Sequence, residues 1–250
     1  MIDTHAHLNL CQSTIETLIQ NAKKAGLTHI VNVGLDVETS LKNAALAARH
    51  PMIIPTIGIH PNNIYDSGCV AALFDIAKTK KYHAVGEIGL DYYRPTHDKQ
   101  KQKELFISQL EMAVQLDLPI IIHQRHAEED MIKIISQFPK IKKVFHCFSS
   151  APSFLDAVDG ENSFFSFTGH ITYSKKGKTI QSLKKLPLEK IMVETDCPYL
   201  TPKRHKGAEN EPAFVNEVIQ HIAFIKKLAP ELVAKKTSHT AHSFFSISSS

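Results

Sequence analysis

Short apolar runs alternate with longer amphipathic stretches along most of this chain. Runs of strand length fall at residues 1–4, 29–34, 52–59, 83–90, 119–123, 143–148, 164–169 and 191–196. Between them, residues 14–25, 39–49, 100–116 and 127–138 space their apolar positions as helices do and are long enough to form them. Runs such as PIIIH and MIIPTIGI are apolar on both faces, as expected where helices cover one side of a sheet and neighbouring strands fill the other. Eight strand and helix units of this kind predict an α/β fold, a TIM (β/α)8 barrel.

Residues 211–245 read as two further helices broken at Pro230, with Asn210 placed to cap the first and Pro212 in its opening turn, where proline costs no hydrogen bond. Residues 246–250 are expected to be a frayed tail. There is no short-period repeat, low-complexity tract or linker-like stretch, so a single barrel domain over residues 1–250 is expected.

Composition narrows the function classes only a little. A chain of 250 residues with 43% hydrophobic residues can bury a large core. Its 29 Lys and Arg against 25 Asp and Glu give a net charge of +4, which permits a polyanionic partner without announcing one. Cys11, Cys69, Cys147 and Cys197 are too few and too scattered for a disulfide framework, so a reducing compartment is the default. Met1 runs straight into a strand with no leader-like pattern, and no run approaches the ~18 apolar residues of a membrane span. A cytoplasmic protein with no membrane partner is the expectation.

The chemistry begins with His5 and His7. Two residues apart in a strand, they share a face and can offer two nitrogens to one ion. With 15 histidines in the chain, about one such triplet arises by chance, so the pair alone says little. Glu87 changes the weighing, because an acid inside VGEIGL would cost several kcal/mol in a barrel interior without a cation. His123 closes PIIIH, His146 lies in KVFHCF, and Asp196 closes IMVETD. Strand ends of a barrel converge on one mouth. Each residue has an ordinary explanation when taken singly: a core histidine, half of an ion pair, a helix cap. Four histidines and two carboxylates together are what metal sites use, and six side chains suit two ions about 3.5 to 4 Å apart.

The segments DTHAHL, GIHP, VGEIGLDYYR, LPIIIHQRHAEED, HCFSS, ETDCPYLTP and NEPAFV, in this order across nearly the whole chain, resemble the TatD family of metal-dependent hydrolases. The resemblance implies a TIM barrel with a binuclear centre. It also implies hydrolysis of DNA phosphodiesters, commonly by a magnesium-dependent deoxyribonuclease with 3′ to 5′ exonuclease character. Carried over, His5, His7 and Asp196 would hold one metal, Glu87 would bridge, and His123 and His146 would hold the second. Asp196 is then placed to take a proton from the attacking water. His60, in GIHPNN, resembles a pocket position assigned to substrate contact or proton relay. Histidines favour zinc or manganese and carboxylates admit magnesium, so the identity of the two divalent ions stays open.

Arg94, Arg125, Lys203, Arg204 and Lys206 each follow a site strand and can hold a nucleic-acid backbone. Tyr92, Tyr93 and Tyr199 stand beside them and can stack on an unpaired base. The loop KRHKGAENEP departs from many relatives at Lys206, Ala208 and Glu209, which weakens its expected grip on phosphate, and Gln124 replaces a commoner serine. Alternation points Cys147 and Cys197 away from the mouth, as small buried residues. The first reading is therefore a nuclease acting on single-stranded DNA ends, with RNA or tRNA as further possible partners. Two others are kept open. One is a metal-dependent ester or amide hydrolase such as a D-aminoacyl-tRNA deacylase; the other is a non-catalytic nucleic-acid-binding barrel.

Overall fold

β1 (Ile2–Ala6) is buried at every position, apolar and polar alike, because it lies between two neighbours in a parallel arrangement. In the computed structural model, which describes residues 1–63, 68–93 and 98–247, it is followed by α1 (Ile15–Lys24), β2 (His29–Asn32), α2 (Val37–Arg49), β3 (Ile53–Pro55) and α3 (Gly68–Thr79). Then come β4 (Val85–Asp91), α4 (Lys99–Leu116), β5 (Ile120–Arg125), α5 (Glu128–Ile135) and β6 (Lys143–Phe145). The chain ends with α6 (Pro152–Val158), β7 (Ser163–Phe167), α7 (Lys178–Lys185), β8 (Ile191–Val193), α8 (Val215–Lys226) and α9 (Pro230–Phe244). All eight strands read from the apolar pattern are present, and the four helices read from the spacing begin and end within three residues of their expected bounds.

The chain divides into two units, one of Met1–Asn32, Cys147–Ala157 and Phe164–Ser250, the other of Val33–His146 and Val158–Ser163. In the first, β1 pairs in parallel with β2 through Ile2 and His29, Asp3 and Ile30, and Ala6 and Asn32. On its other side, Ala6 bridges to Cys197 just past β8. β8 in turn pairs with β7 through Ile191 and Phe165, Met192 and Ser166, and Val193 and Phe167. The strand order is therefore β2, β1, β8, β7. Ile2, Leu18, Ile30, Phe165, Phe167 and Phe245 are among its fully buried side chains.

In the second unit, Ile57 bridges to Val85 on β4. β4 pairs in parallel with β5, and β5 with β6 through Ile120 and Lys143, Ile121 and Val144, and Ile122 and Phe145. Gly89 explains how closely β4 and β5 approach beside His123. Its φ is +144°, and a Cβ there would lie 2.0 Å from the His123 carbonyl oxygen. Gly89→Ala is therefore expected to lower stability by roughly 3 kcal/mol or more, from a strained backbone and a clash with an immovable atom. A denaturant midpoint equal to the parent's would contradict that register.

Helix starts follow local chemistry. Thr14 accepts from the Thr17 amide at α1, Asp36 and Thr39 form a capping box at α2, and Asp98 accepts from the Gln100 and Lys101 amides at α4. The tail differs from expectation in three ways. Asn210 caps nothing: it is buried, and its amide donates to the carbonyls of Thr195 at 2.8 Å and Tyr199 at 2.5 Å. A 3-10 turn, Pro212–Phe214, opens the first tail helix instead. Pro230 does not itself break the helix, which ends at Lys227 in the left-handed region; Pro230 starts α9, where its missing N–H costs nothing. Residue Ile247 is buried and its amide bonds the His242 carbonyl, so the tail is tied down that far. Residues 248–250, the rest of the expected frayed tail, lie outside the described residues.

Candidate metal centre

In the first unit the end of β1 and the turn after β8 meet. His5 lies in β1 and His7 just past its end, at the start of a 3-10 turn rather than in the strand as expected, yet their Nε2 atoms are 3.2 Å apart and their rings edge to face. Asp196 Oδ1 lies 3.3 Å from His7 Nε2 and 3.6 Å from His5 Nε2. Asp196 does not end a strand as expected. β8 stops at Val193, and Asp196 sits three residues on at a φ of +58°, held by its amide on the His5 carbonyl and its own carbonyl on the Tyr199 amide. That left-handed turn swings the carboxylate toward the histidine pair. Aspartate tolerates this region better than most residues.

Asp3 braces the same place. Its buried carboxyl group accepts from the Thr195 amide at 2.9 Å, the Thr195 hydroxyl at 2.6 Å and the His5 amide at 3.3 Å, so it ties the strand of the histidines to the segment of Asp196. Burial pushes its carboxyl up to about 8 despite those donors.

In the second unit Glu87, in the middle of β4, gathers three imidazoles. Its Oε1 lies 2.7 Å from His123 Nδ1, 2.7 Å from His146 Nε2 and 3.5 Å from His60 Nε2. Burial works against its charge, but the facing His146, His60 and His123 outweigh it and hold the carboxyl well below the usual range. His123 does not end β5, which runs on to Arg125, and His146 lies just past β6 rather than in it, although its amide still bonds the Ile122 carbonyl. His60 joins the cluster, its ring 4.5 Å from that of His123. His60, Glu87 and His123 each place a nitrogen or oxygen within 4.8 Å of the others.

Three acids escaped the sequence reading. Asp91, at the end of β4, lies 3.2 Å from His123 Nε2. Glu194 accepts from the Cys147 amide at 2.6 Å and the Ser166 hydroxyl at 2.5 Å, which fixes the turn at Cys147. Asp3 is the third. The available signal was the one that singled out Glu87, an acid inside a β-forming run, and it is present in EIGLD, MIDT and VETD alike.

The expected substrate contacts divide. Arg125 lies over the Tyr93 ring at 3.7 Å, and Tyr93 and Tyr199 are more than half exposed, Tyr199 edge-on to His7. Tyr92 is instead committed to packing: its hydroxyl donates to Asp130 at 2.8 Å and Lys99 sits over its ring. Lys203 and Arg204 lie in an exposed 3-10 turn with Lys206 just beyond it, and Arg204 reaches Glu217 at 3.3 Å. Glu209, read as a departure that weakens phosphate grip, braces the chain by accepting from the Gln12 amide. Arg94 lies outside the described residues. Cys197 is buried as expected, but Cys147 is half-buried, because it adopts a φ of +45° and leaves the strand alternation.

Both clusters join imidazole nitrogens to carboxylate oxygens, with no cysteine among the donors, which is the donor set of catalytic divalent-ion sites. Residues 2–246 match the family described as TatD related DNase. The chain belongs to the TatD family. Among its relatives, the metal-dependent hydrolase YabD of Bacillus subtilis is 34% identical over 253 residues, 99% of each chain. A protein of Erwinia tasmaniensis named 3′-5′ ssDNA/RNA exonuclease TatD is 31% identical over 242 residues, 93% of each. The crystal structure of YjjV, a TatD homologue of Escherichia coli K12, superposes with a TM-score of 0.94 at 25% identity, covering 99% of this chain and 98% of that one. This TatD-family chain is thus a metal-dependent hydrolase with the α/β TIM-barrel fold of its relatives. Among the described residues no helix is long and apolar enough to cross a membrane.

Proposed function

We propose that this TatD-family protein is a cytoplasmic phosphodiesterase that shortens single-stranded DNA from its 3′ end with the help of two divalent ions. The observation that carries this reading is the pair of histidine and carboxylate clusters. One ion is assigned to His5, His7 and Asp196 and one to Glu87, His123 and His146. The substrate class is suggested by the Erwinia relative named as an exonuclease on single-stranded DNA and RNA.

Divalent ions supply Lewis acidity here, easing loss of a proton from water and neutralising charge on phosphoryl oxygens. Asp196 accepts the proton of the attacking water. His60 Nε2 contacts the substrate. Arg125, Arg204 and Lys206, with Arg94, hold the phosphate backbone, which positions the strand without reading its sequence. Tyr199 is more than half exposed and can stack on bases free of a partner, hence the preference for single strands; Tyr93, also exposed, has Arg125 over its ring.

The test strips the purified protein with a chelator and returns magnesium, manganese or zinc in turn, each with end-labelled single-stranded DNA, RNA and D-aminoacyl-tRNA. Activity is expected to vanish on stripping, to return with at least one ion, and to shorten DNA from the 3′ end. Hydrolysis of the aminoacyl ester alone would replace the nuclease with a deacylase. Ion-dependent binding of DNA without turnover would leave only a binding protein.

A further inference from the structure

Of the three histidines that face Glu87, His123 and His60 turn their outer nitrogens to opposite kinds of partner. His123 Nε2 lies 3.2 Å from Asp91 Oδ2, a carboxylate oxygen that only accepts, so the Nε2 proton stays on the ring. His60 Nδ1 instead accepts the backbone N–H of Asn62 at 3.0 Å, so its lone pair is used and the neutral ring carries its proton at Nε2. Asn62 links the two. Its side-chain amide donates to the same Asp91 Oδ2 at 3.0 Å, while Asp91 Oδ1 accepts from the Tyr93 amide at 3.0 Å. Gln102 clamps the Asp91 main chain from both sides, accepting its N–H at 2.8 Å and donating to its carbonyl at 3.0 Å. The Asp91 side chain is 3% exposed, so water competes little for these bonds.

We infer that Asp91 and Asn62 fix the same Nε2–H tautomer in His123 and His60 but turn opposite ring nitrogens toward Glu87, making His123 an ion ligand through Nδ1 and His60 a hydrogen-bond donor through Nε2 rather than a ligand. The proton that His123 gives up to an ion is the one at Nδ1, the nitrogen 2.7 Å from Glu87 Oε1, and Asp91 keeps that ring oriented and basic. His60, 3.5 Å from the same oxygen, directs an N–H toward Glu87 or a substrate oxygen in its place. Asp91 is thus a positioning residue, and two histidines that look equivalent from the carboxylate take different work.

The inference rests on the proposed function only in that an ion binds, so the test uses the full chain with manganese or zinc alone and no nucleic acid. In titration calorimetry His60→Gln is expected to bind the same number of ions as the parent, with affinities within about twofold. Asp91→Asn is expected to weaken one ion by about 10- to 100-fold and leave the other unchanged. Long-range 1H–15N spectra of the unaltered protein give a readout that packing alone would not move. They are expected to show His60 protonated at Nε2 with and without ion, and His123 protonated at Nε2 when the ion is bound. Loss of an ion in His60→Gln, unchanged affinity in Asp91→Asn, or a His60 proton at Nδ1 would overturn the inference. Should Asp91→Asn fail to fold, the spectra and the His60→Gln titration decide alone. A chain that behaves as expected with ions yet cleaves no nucleic acid sinks the nuclease and leaves this assignment standing.

Discussion

Asp196→Asn is expected to lower kcat for a labelled oligonucleotide by about 10²- to 10⁴-fold, the range typical of losing a general base. The protein is expected to keep its fold and most of its affinity for the strand. Asparagine is nearly isosteric with aspartate and is among the few residues that accept the left-handed backbone found here at φ +58°. The two backbone bonds that hold the turn, the residue 196 amide to His5 and its carbonyl from Tyr199, do not involve the side chain. What disappears is an anionic oxygen 3.3 Å from His7 Nε2. With ions saturating, a fall confined to kcat, with KM and melting temperature near the parent's, fits a proton acceptor. Full turnover in this variant would remove Asp196 from the chemistry altogether.

The same turn shows why the site was only partly legible in the sequence. Strand number and order came through because eight apolar runs recur with helix-length spacers, and burial on both faces leaves little room for another reading. His5, His7, Glu87, His123, His146 and Asp196 were legible because polar groups inside or just after such runs need a partner. Their exact perch was not. β6 and β8 stop at Phe145 and Val193, and His146 and Asp196 stand on irregular backbone beyond them, where periodicity carries no information. Asp91 and Asp3 carry the same local signal as Glu87, an acid inside a β-forming run, but that signal does not give their roles. Their roles come from partners distant in the chain, Asn62 and Thr195, and no local pattern encodes a bond across 29 or 192 positions. Asn210 failed oppositely, since its position before a proline matched a capping pattern while its side chain was taken by carbonyls of another loop.

The two clusters share one design despite different elements. In each, a carboxylate meets imidazole nitrogens on one side, while a second buried acid braces the assembly from behind, Asp3 through Thr195 and Asp91 through His123. An ion bound by such a cluster meets donors already oriented, so little of its binding energy is spent on ordering side chains. That geometry also predicts where the assembly is most fragile.

Glu87→Gln takes the negative charge from the carboxylate that three histidines face, and the largest loss of ion affinity is expected here. Breaking a buried charge pair by neutralising one partner costs about 3 to 5 kcal/mol, and at about 1.4 kcal/mol per decade that is roughly 10²- to 10⁴-fold in affinity. Hydrolysis is expected to fall at least as far at limiting ion and to recover only partly in excess. The ion-free protein carries a second signature, with a definite sign. Glu87 is held well below its ordinary value of 4.5 by His146, His60 and His123, so its charge stabilises the fold above about that pH, and the contribution is lost as pH falls further, through the folded value. The stability of ion-free parent relative to Glu87→Gln should therefore decline in acid below pH 4.5. Chemical denaturation of both chains across that window checks it. A difference that is flat with pH, or that grows as acid is added, would mean that the carboxylate is not ionised among its histidines, and the donor set drawn here would lose its anionic member.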